Sequence, residues 1–347
     1  MTYTDKTIDL RSDTVTVPTP AMLDAMIAAE VGDDVYCEDP AANRLEALAA
    51  EMLGREAALF VPSGTMANLL SIRTHTQPGD EIILDANSHP YHYEAGGYAA
   101  IAGVSLRFVS GERGIIRPDQ IPAEVRADNV HFPRSRLVII ENTHNRGGGS
   151  VYPVETVRGI REVCAEHGLR LHMDGARLFD ACVATGADPA DYGRAVDSVS
   201  ICLSKGLGCP VGSLVAGDAQ FIARARRFRK MLGGGMRQIG HLCAAGIYAL
   251  KNNVERLAED HANARRLADG IRQIQGLRLK YDPPATNMVY FEALPPRSGP
   301  EIAEKLEQRN IRILPAAETT FRAVPHIGIT GGDIDRVTAE LRTIAAG

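Results

Sequence analysis

A lysine lies where a buried strand is predicted to end. Lys205 follows the apolar run Val199–Leu203 and precedes the glycine-rich segment GLGCPVG. A lysine that is held on a rigid element and partly desolvated can attack a carbonyl group as a neutral amine, which begins Schiff-base chemistry. Taken by itself, a surface lysine at a strand end, with its charge in water, is the more common explanation. Lys205 therefore indicates a reactive amine only if suitable partners lie beside it.

An acid provides such a partner. Asp174, in the segment HMDGAR, follows the apolar run Leu171–Met173, which is the preceding predicted strand. The ends of neighbouring parallel strands meet at one edge of a sheet, so Asp174 and Lys205 can face the same ligand. A carboxylate beside a pyridine nitrogen keeps that nitrogen protonated, as pyridoxal phosphate (PLP) chemistry requires. A helix N-cap is the alternative for Asp174, but its pairing with Lys205 favours a functional role.

A small hydroxylated turn follows the apolar run Ala57–Val61. Ser63, Gly64 and Thr65 lead into a predicted helix, where free backbone N–H groups and the helix dipole favour a phosphate. An ordinary capping serine or threonine explains this segment equally well. The chain has no GxxxxGK[ST] motif, so a nucleotide P-loop is excluded.

Two histidines also follow predicted strands. His89 lies in SHPYHYEAGG and His144 lies in ENTHNRGGG. An imidazole ring can stack on a pyridine ring, and its nitrogen can accept or relay a proton. A metal site built on His89 and His92 is the alternative, but no second ligand cluster of recognisable spacing accompanies it. We therefore expect no metal ion.

The elements that must position these residues are strands separated by helices. Helical patterns cover residues 65–75 and 155–167, between apolar runs that are typical of fully buried strands. This alternation predicts an α/β fold with a mainly parallel sheet covered on both faces. The seven predicted strands are Ala57–Val61, Glu81–Leu84, Leu106–Val109, Leu137–Ile140, Leu171–Met173, Val199–Leu203 and Ser213–Ala216.

The pattern changes after Gly235. A charged helical stretch runs from about 237 to 271, with Asn252 and Asn253 as its only marked break, and helices are predicted at about 300–309 and 333–345. Between them lie the predicted strands Leu277–Tyr281, Met288–Phe291, Ile311–Leu314 and His326–Ile329. We therefore predict an N-terminal arm at 1–20, a large cofactor-binding domain at 21–250 and a small C-terminal α+β domain at 251–347.

Composition excludes several classes of protein. Hydrophobic residues make up 45% of the 347 residues and charged residues 23%, as in ordinary globular proteins. A net charge of −5 gives no basis for binding nucleic acid or an anionic membrane. No apolar run approaches the roughly 20 residues of a membrane helix, and the N-terminus lacks a signal-peptide core. Six cysteines without a CxxC pair predict reduced thiols and a cytoplasmic location.

Together, the segments that contain these residues closely resemble those of the L-threonine aldolases, in the β-eliminating lyase branch of fold-type I PLP-dependent enzymes. The matching segments run in order over residues 8 to 238. They are IDLRSDTVTVPT, GDDVYCEDP, FVPSGTMAN, SHPYHYEAGG, ENTHNRGGG, HMDGARLFDA, SICLSKGLGCPVGS and RKMLGGGMRQ.

The resemblance implies a role for each matching residue. Lys205 would be the Schiff-base lysine, Asp174 the partner of the pyridine nitrogen, and His89 the ring stacked on the cofactor. The remaining implied roles are the phosphate cup (Ser63, Gly64, Thr65), basic residues that reach the phosphate from a neighbouring subunit (Lys230, Arg237), a ligand of the ring hydroxyl and substrate carboxylate (Arg177), a histidine near the β-hydroxyl (His144), a carboxylate clamp (Ser12, Arg322) and an active-site aromatic residue (Tyr36).

The activity implied is reversible retro-aldol cleavage of L-threonine, L-allo-threonine and related β-hydroxy-α-amino acids to glycine and acetaldehyde, or to the matching aldehyde. The family also implies a homo-oligomer, a dimer of dimers. The base remains open between His89 and His144, and so does the preferred threonine diastereomer. A β-lyase or a serine hydroxymethyltransferase of the same fold is the nearest alternative. A nicotinamide dehydrogenase is disfavoured, because GLGCPVG has GxGxxxG rather than GxGxxG spacing.

Overall fold

A computed structural model describes residues 7–295 and 298–346 of the chain. Contacts divide it into two units. The larger unit runs from Pro18 to Val254, and the smaller unit combines the described residues up to Val17 with those from Glu255 onward. No helix in the described ranges has the length and apolar character needed to cross a membrane.

The strands and helices are numbered in chain order. The strands are β1 (Ile8–Asp9), β2 (Ala57–Val61), β3 (Glu81–Asp85), β4 (Ser105–Val109), β5 (Ser135–Glu141), β6 (Arg170–Gly175), β7 (Ser198–Cys202), β8 (Ser213–Gly217), β9 (Leu277–Leu279), β10 (Val289–Ala293), β11 (Ile311–Arg312), β12 (Leu314–Pro315) and β13 (Thr320–Ala323). The α-helices are α1 (Pro20–Ile27), α2 (Pro40–Met52), α3 (Gly64–His75), α4 (His89–His92), α5 (Gly97–Ala100), α6 (Val154–Glu166), α7 (Leu178–Thr185), α8 (Pro189–Arg194), α9 (Ala219–Met231), α10 (Gly240–Asn252), α11 (Leu257–Arg272), α12 (Gly299–Glu307) and α13 (Gly331–Ala346).

The larger unit is built on a seven-stranded sheet with the order β2-β8-β7-β6-β5-β3-β4. The five adjacent strands β7, β6, β5, β3 and β4 are parallel, whereas β8 is antiparallel to both of its neighbours. Each of the seven predicted strands is present, and the predicted α/β class is confirmed. The central strands are mainly apolar because both of their faces are covered. In β5, for example, Leu137, Val138 and Ile139 are fully buried.

Strand register brings the candidate site residues to one edge of this sheet. Glu141, at the end of β5, pairs with Asp174 on β6, and Asp174 pairs with Ser200 on β7. The loop that carries Lys205 therefore leaves β7 beside the end of β6. Ligands of such sheets bind at the carboxyl ends of the strands, where these residues lie.

The smaller unit contains an antiparallel sheet with the order β12-β13-β10-β9 and a separate parallel pair, β1 with β11. Phe291 and Phe321 stack in its core with ring centroids 4.9 Å apart. The predicted run Ile311–Leu314 is divided, because β11 pairs with β1 while β12 pairs with β13. The predicted break in the helical stretch at Asn252 and Asn253 is confirmed, since α10 ends at Asn252 and α11 begins at Leu257.

The predicted strand at His326–Ile329 is wrong. These residues form a turn, and the strand lies earlier, at β13. Gly328 has a φ of +91°, in the left-handed region that a strand does not use. The ring of His326 contacts the N-terminal segment, with Nε2 2.8 Å from the carbonyl oxygen of Asp9. The apolar pattern of this segment did not distinguish a turn that buries His326 and Ile329 from a strand.

A glycine at the end of β6 allows β6 and β7 to approach closely. A Cβ atom on Gly175 would lie 2.5 Å from the carbonyl oxygen of Ser200 and 3.2 Å from the Cβ of Leu178. We predict that Gly175→Ala lowers the free energy of unfolding by about 1–3 kcal/mol, because neither neighbour can move without shifting backbone. Urea denaturation measures this, and Gly332→Ala, whose Cβ would have no neighbour closer than 3.8 Å, is the control. Equal stability of the two variants would contradict the prediction.

Candidate active site

Lys205 lies in a tight turn that extends β7. The N–H of Leu203 donates to the carbonyl oxygen of Gly212 at 3.0 Å, and the N–H of Gly208 donates to that of Lys205 at 2.9 Å. Gly208 and Gly212 have φ values of +80° and +106°, so the turn needs glycine at both positions. The lysine is half-buried. It is therefore held on a rigid loop and shielded in part from water, which are the two conditions for a reactive amine.

Asp174 is a buried carboxylate at the end of β6, with 3% of its surface exposed. One carboxylate oxygen accepts from the Asn68 amide at 2.7 Å, and the other accepts from the Ala176 N–H at 3.1 Å. Burial by itself opposes ionisation, but the positive charges of His89 and Lys205 and the hydrogen bond from Asn68 outweigh it and lower the pKa of Asp174. The carboxylate is therefore ionised although it is buried.

Asn68, on α3, donates to two carboxylates at once. Its amide nitrogen lies 2.7 Å from Asp174 Oδ2 and 2.8 Å from Glu94 Oε1. Two acceptors on one side fix the orientation of the amide, because its oxygen cannot donate. That oxygen therefore faces away from the carboxylates, where it accepts from Ser200 Oγ and His172 Nε2, each at 3.3 Å.

The orientation of Asn68 sets the tautomer of His172. Nε2 of His172 faces the Asn68 oxygen, which only accepts, whereas Nδ1 lies 2.9 Å from Ser198 Oγ and 3.2 Å from the Ser198 carbonyl oxygen. We assign the hydrogen of the ring to Nε2, because the nearer partner of Nδ1 is a hydroxyl group that can donate to it. Full burial lowers the pKa of His172 to about 4, so the ring is neutral and its Nδ1 accepts. Ser198 Oγ donates to that nitrogen at 2.9 Å and accepts from His75 Nε2 at 2.8 Å. We call His75, Ser198, His172 and Asn68 the donor chain, because each hydrogen in it points towards Asp174.

His89 begins the short helix α4 and is anchored at two points. Its backbone N–H donates to Glu141 Oε2 at 2.8 Å, and its Nδ1 lies 2.8 Å from Glu94 Oε1. Burial opposes protonation of the ring, but the Glu94 hydrogen bond and the charges of Asp174 and Glu94 raise the pKa of His89. Burial also raises the pKa of Glu94, and the nearby charge of Asp174 adds to that effect.

His89, Glu94 and Asp174 form a compact group, with one ligand atom from each within 4.8 Å of the others. Such a group can hold a cation. Here, however, the Asn68 amide already donates to both carboxylates, and His89 Nδ1 donates to Glu94. The N–H groups thus occupy the positions from which the carboxylates would bind a metal.

His144 is completely buried behind the strand ends. Its Nδ1 accepts from the Gly147 N–H at 3.0 Å, and its Nε2 lies 3.4 Å from Asp85 Oδ1 and 3.9 Å from Glu141 Oε2. Burial opposes protonation, while Glu141 and Asp85 raise the pKa of His144. The Gly147 N–H requires an unprotonated Nδ1, so the hydrogen of the neutral ring lies on Nε2, facing the two carboxylates.

The start of α3 suits a phosphate group. Ser63 caps the helix, with its Oγ accepting from the Met66 N–H at 3.2 Å. The N–H groups of Gly64 and Thr65 precede the first intrahelical donor, Ala67, and are thus available to an anion. A Cβ on Gly64 would lie 2.7 Å from Cys202 Sγ, so a larger residue would displace this turn.

Unsatisfied polar groups in two loops at the same edge of the sheet also fit a bound cofactor. Ser88 Oγ, in the loop after β3, and Thr143 Oγ1, in the loop after β5, are buried without a hydrogen-bond partner among the described residues. Buried polar groups are rarely left unpaired in a complete site. Together with the helix terminus, the lysine and the carboxylate, they fit the phosphate, aldehyde and pyridine nitrogen of PLP.

The other predicted residues of the larger unit lie in different surroundings. Arg177 is buried directly after β6. Lys230, on α9, is exposed, and Tyr36 is 70% exposed. Arg237 is also exposed and pairs with Asp33 at 2.9 Å. Their predicted roles with cofactor and substrate stay predictions.

Ser12 and Arg322 belong to the smaller unit, which brings these two distant parts of the sequence together. Arg322 Nη2 donates to the carbonyl oxygen of Arg11 at 3.0 Å, next to Ser12. Ser12 Oγ accepts from the Thr14 N–H at 3.2 Å. Their proposed clamp on a substrate carboxylate likewise stays a prediction.

Sequence reasoning missed the residues that support Asp174 and His89. Asn68 and His172 are buried inside a helix and a strand, and the sequence alone does not show that a polar side chain there is buried. Glu94 was visible only as a member of the segment that contains His89. A signal existed in β6, where a histidine and an aspartate two residues apart interrupt an apolar strand and must point to the same face.

The fold and this arrangement define a PLP-dependent enzyme of fold-type I. The chain belongs to the beta-eliminating lyase family, which it matches over residues 9–294. It is 47% identical to a probable low-specificity L-threonine aldolase 2 from Arabidopsis thaliana, with 96% of each chain covered. It is 44% identical to the low specificity L-threonine aldolase of Escherichia coli K12, over 98% of this chain and 99% of the relative.

Among solved structures, the threonine aldolase of Leishmania major has the same fold, with a TM-score of 0.84 and 23% identity over 97% of this chain and 99% of that one. The resemblance inferred from sequence is therefore confirmed, and so are the fold class and the enzyme class. The protein is a lyase that depends on PLP.

The contact between Glu94 and His89 predicts a pH effect. Glu94 accepts from His89 Nδ1 and raises the pKa of the ring, so Glu94→Gln should lower that pKa. Because the pKa is raised on folding, the pair stabilises the protein below about pH 6.5, the ordinary histidine value, and this contribution is lost as the pH rises through the raised pKa.

NMR titration of the His89 ring gives the midpoint directly. Glu155→Gln, which removes an exposed carboxylate paired with Arg158, is the matched control and should leave the midpoint unchanged. A midpoint for His89 that is the same in Glu94→Gln and in the parent protein would show that Glu94 does not set its charge.

Proposed function

We propose that this chain cleaves L-threonine, L-allo-threonine and related β-hydroxy-α-amino acids to glycine and an aldehyde, and that the reaction is reversible. The observation that carries the proposal is the ionised, buried Asp174 beside the loop of Lys205. The names of the relatives, low-specificity L-threonine aldolases at 44–47% identity, supply the substrate class.

Lys205 would bind the aldehyde of PLP, and Asp174 would hold the pyridine nitrogen in its protonated form. When bound, PLP supplies an electron-accepting ring for the pair of electrons released at the substrate Cα. The negative charge of Asp174 is what makes the protonated nitrogen stable in a buried site. The hydrogen bond from Asn68, the last member of the donor chain, stabilises that charge.

The other residues would position cofactor and substrate. The N–H groups of Gly64 and Thr65, with Ser63, would bind the phosphate, assisted by Lys230 and Arg237. The guanidinium groups of Arg177 and Arg322, with Ser12, would grip the substrate carboxylate, because a planar fork orients it in two directions. Tyr36 would contact the substrate.

His89 is favoured as the base that takes the proton of the β-hydroxyl group. Glu94 accepts from its Nδ1, which leaves the lone pair of the neutral ring on Nε2. The side chain is 29% exposed, so a substrate can reach it. His144 differs in both respects, since it is fully buried and its Nδ1 already accepts from Gly147. We propose that His144 instead positions the loop that carries it.

A homo-oligomer, a dimer of dimers, is proposed from the family. Apolar side chains on the larger unit support it, with Ile27 79% exposed and Tyr36 70% exposed. A cytoplasmic location is proposed because all six cysteines are free thiols. Five of them are buried.

Product analysis tests the activity. We expect acetaldehyde and glycine from L-threonine and L-allo-threonine, and no comparable release of ammonia and pyruvate from serine, which a β-lyase would give. Lys205→Ala should lose the visible absorbance of the bound cofactor and nearly all turnover, since no other amine takes its place. Normal colour and rate in that variant would rule out this mechanism.

Replacement of Asp174 tests the role of its charge. Asp174→Asn keeps the shape of the side chain but removes the negative charge, so kcat should fall roughly 100- to 1,000-fold, while KM changes little. Asp191→Asn, an exposed carboxylate paired with Arg158, is the control and should retain full activity. A change confined to KM would mean that Asp174 binds substrate rather than tunes the cofactor.

A further inference from the structure

A cavity of about 390 Å³ lies at the edge of the large sheet opposite to the active site. It is lined by residues at the starts of parallel strands, among them Arg134 and Arg136 at β5 and Arg170 at β6. Arg224 of α9 and His75 at the end of α3 complete its basic lining. Asp80 is its single carboxylate.

Two of the four guanidinium groups are available to a ligand. Arg170 pairs with Asp197 at 2.8 Å, and Arg224 donates to the carbonyl oxygen of Thr74. Arg134 and Arg136, in contrast, have no ion-pair partner among the residues that the structure describes. Four guanidinium groups that line a cavity beside a single carboxylate, Asp80, leave an excess of positive charge that suits a phosphate or another small polyanion.

His75 lies beside the arginines of this cavity and also contacts the buried residue Ser198. Burial holds its pKa well below the ordinary histidine value, and interaction with His172 and the charges of Arg170 and Arg224 lower it further. The ring is stacked on Phe221, with centroids 4.6 Å apart, and its Nε2 donates to Ser198. His75 is therefore both part of the cavity lining and the first member of the donor chain that ends at Asp174.

We propose that this cavity is a binding site for a small polyanion of the phosphate class. We also propose that binding of the anion changes the hydrogen bond to Asp174 through the donor chain. The negative charge of a bound anion would polarise the ring of His75, and this would strengthen the hydrogen bond that Nε2–H donates to Ser198. Each following hydrogen bond would then be polarised in the same direction. The expected consequence is a change in the environment of the cofactor ring, at a site that the anion itself does not touch.

Calorimetry with inorganic pyrophosphate tests the binding site. The protein is used with PLP bound, so that the phosphate cup at α3 is already filled, and sodium chloride at matched ionic strength is the blank. We expect saturable binding at one site per chain, weakened at least ~10-fold in the double variant Arg134→Gln/Arg136→Gln. Both residues are exposed, so the variant should fold normally.

The control loses the same charge elsewhere. Arg278→Gln/Arg312→Gln removes two exposed arginines of the smaller unit, which pair with Glu292 and Glu307. This variant should bind pyrophosphate as the parent does. Absence of saturable binding by the parent, or equal affinity in both double variants, would overturn the assignment of the site.

The visible absorbance of the bound cofactor tests the coupling. Saturating pyrophosphate should change the spectrum of the parent protein. Ser198→Ala should still bind the anion but lose this response, because it removes the hydroxyl group that contacts both His75 and His172. Ser71→Ala, a buried serine on α3 that donates to the carbonyl oxygen of Ala67 in the same helix, is the control and should respond normally. An unchanged parent spectrum, or a normal response in Ser198→Ala, would refute the coupling.

Discussion

The burial of a negative charge at Asp174 is the constraint around which the large unit is organised. An isolated carboxylate in this position would become neutral, because desolvation of a charge costs several kcal/mol. It stays ionised through the charges of His89 and Lys205 and the hydrogen bond from Asn68. Each of these partners comes from a different element, so the site exists only when β6, β7, α3 and α4 are packed together. The charge that tunes the chemistry therefore also specifies the fold.

The donor chain follows from the geometry of two strands and one helix. His172 and Asp174 are two residues apart on β6, and they pair in register with Ser198 and Ser200 on β7. Side chains alternate along a strand, so all four project from the same face of the sheet. Asn68 and His75 are two helical turns apart, which places both on the side of α3 that covers this face. Polar groups thus run through an otherwise apolar interface, and each of them is paired.

The sequence predicted those parts of the molecule in which one signal dominates. Seven apolar runs gave the strands, and the residues directly after them gave Asp174 and Lys205, because parallel strands are buried along their length. It did not predict Asn68, Glu94 or His172, whose roles depend on partners far away in the chain. The strand placed at His326–Ile329 failed for a related reason, since burial is shared by strands and by turns that are held through side-chain hydrogen bonds. A local sequence pattern indicates which residues are buried, whereas the hydrogen-bond partners of a buried polar residue are known only from the folded structure.

Two carboxylates share the Asn68 amide, yet their surroundings push their pKa values apart. Asp174 is held ionised by the charges of His89 and Lys205, whereas burial and the neighbouring charge of Asp174 raise the pKa of Glu94. Groups separated in this way take different roles in a reaction. Asp174 can remain a fixed charge throughout the cycle, while Glu94 and His89 can hold one proton between them. A base that must take up a proton and return it needs a partner of the second kind, and among the two candidate histidines only His89 contacts Glu94.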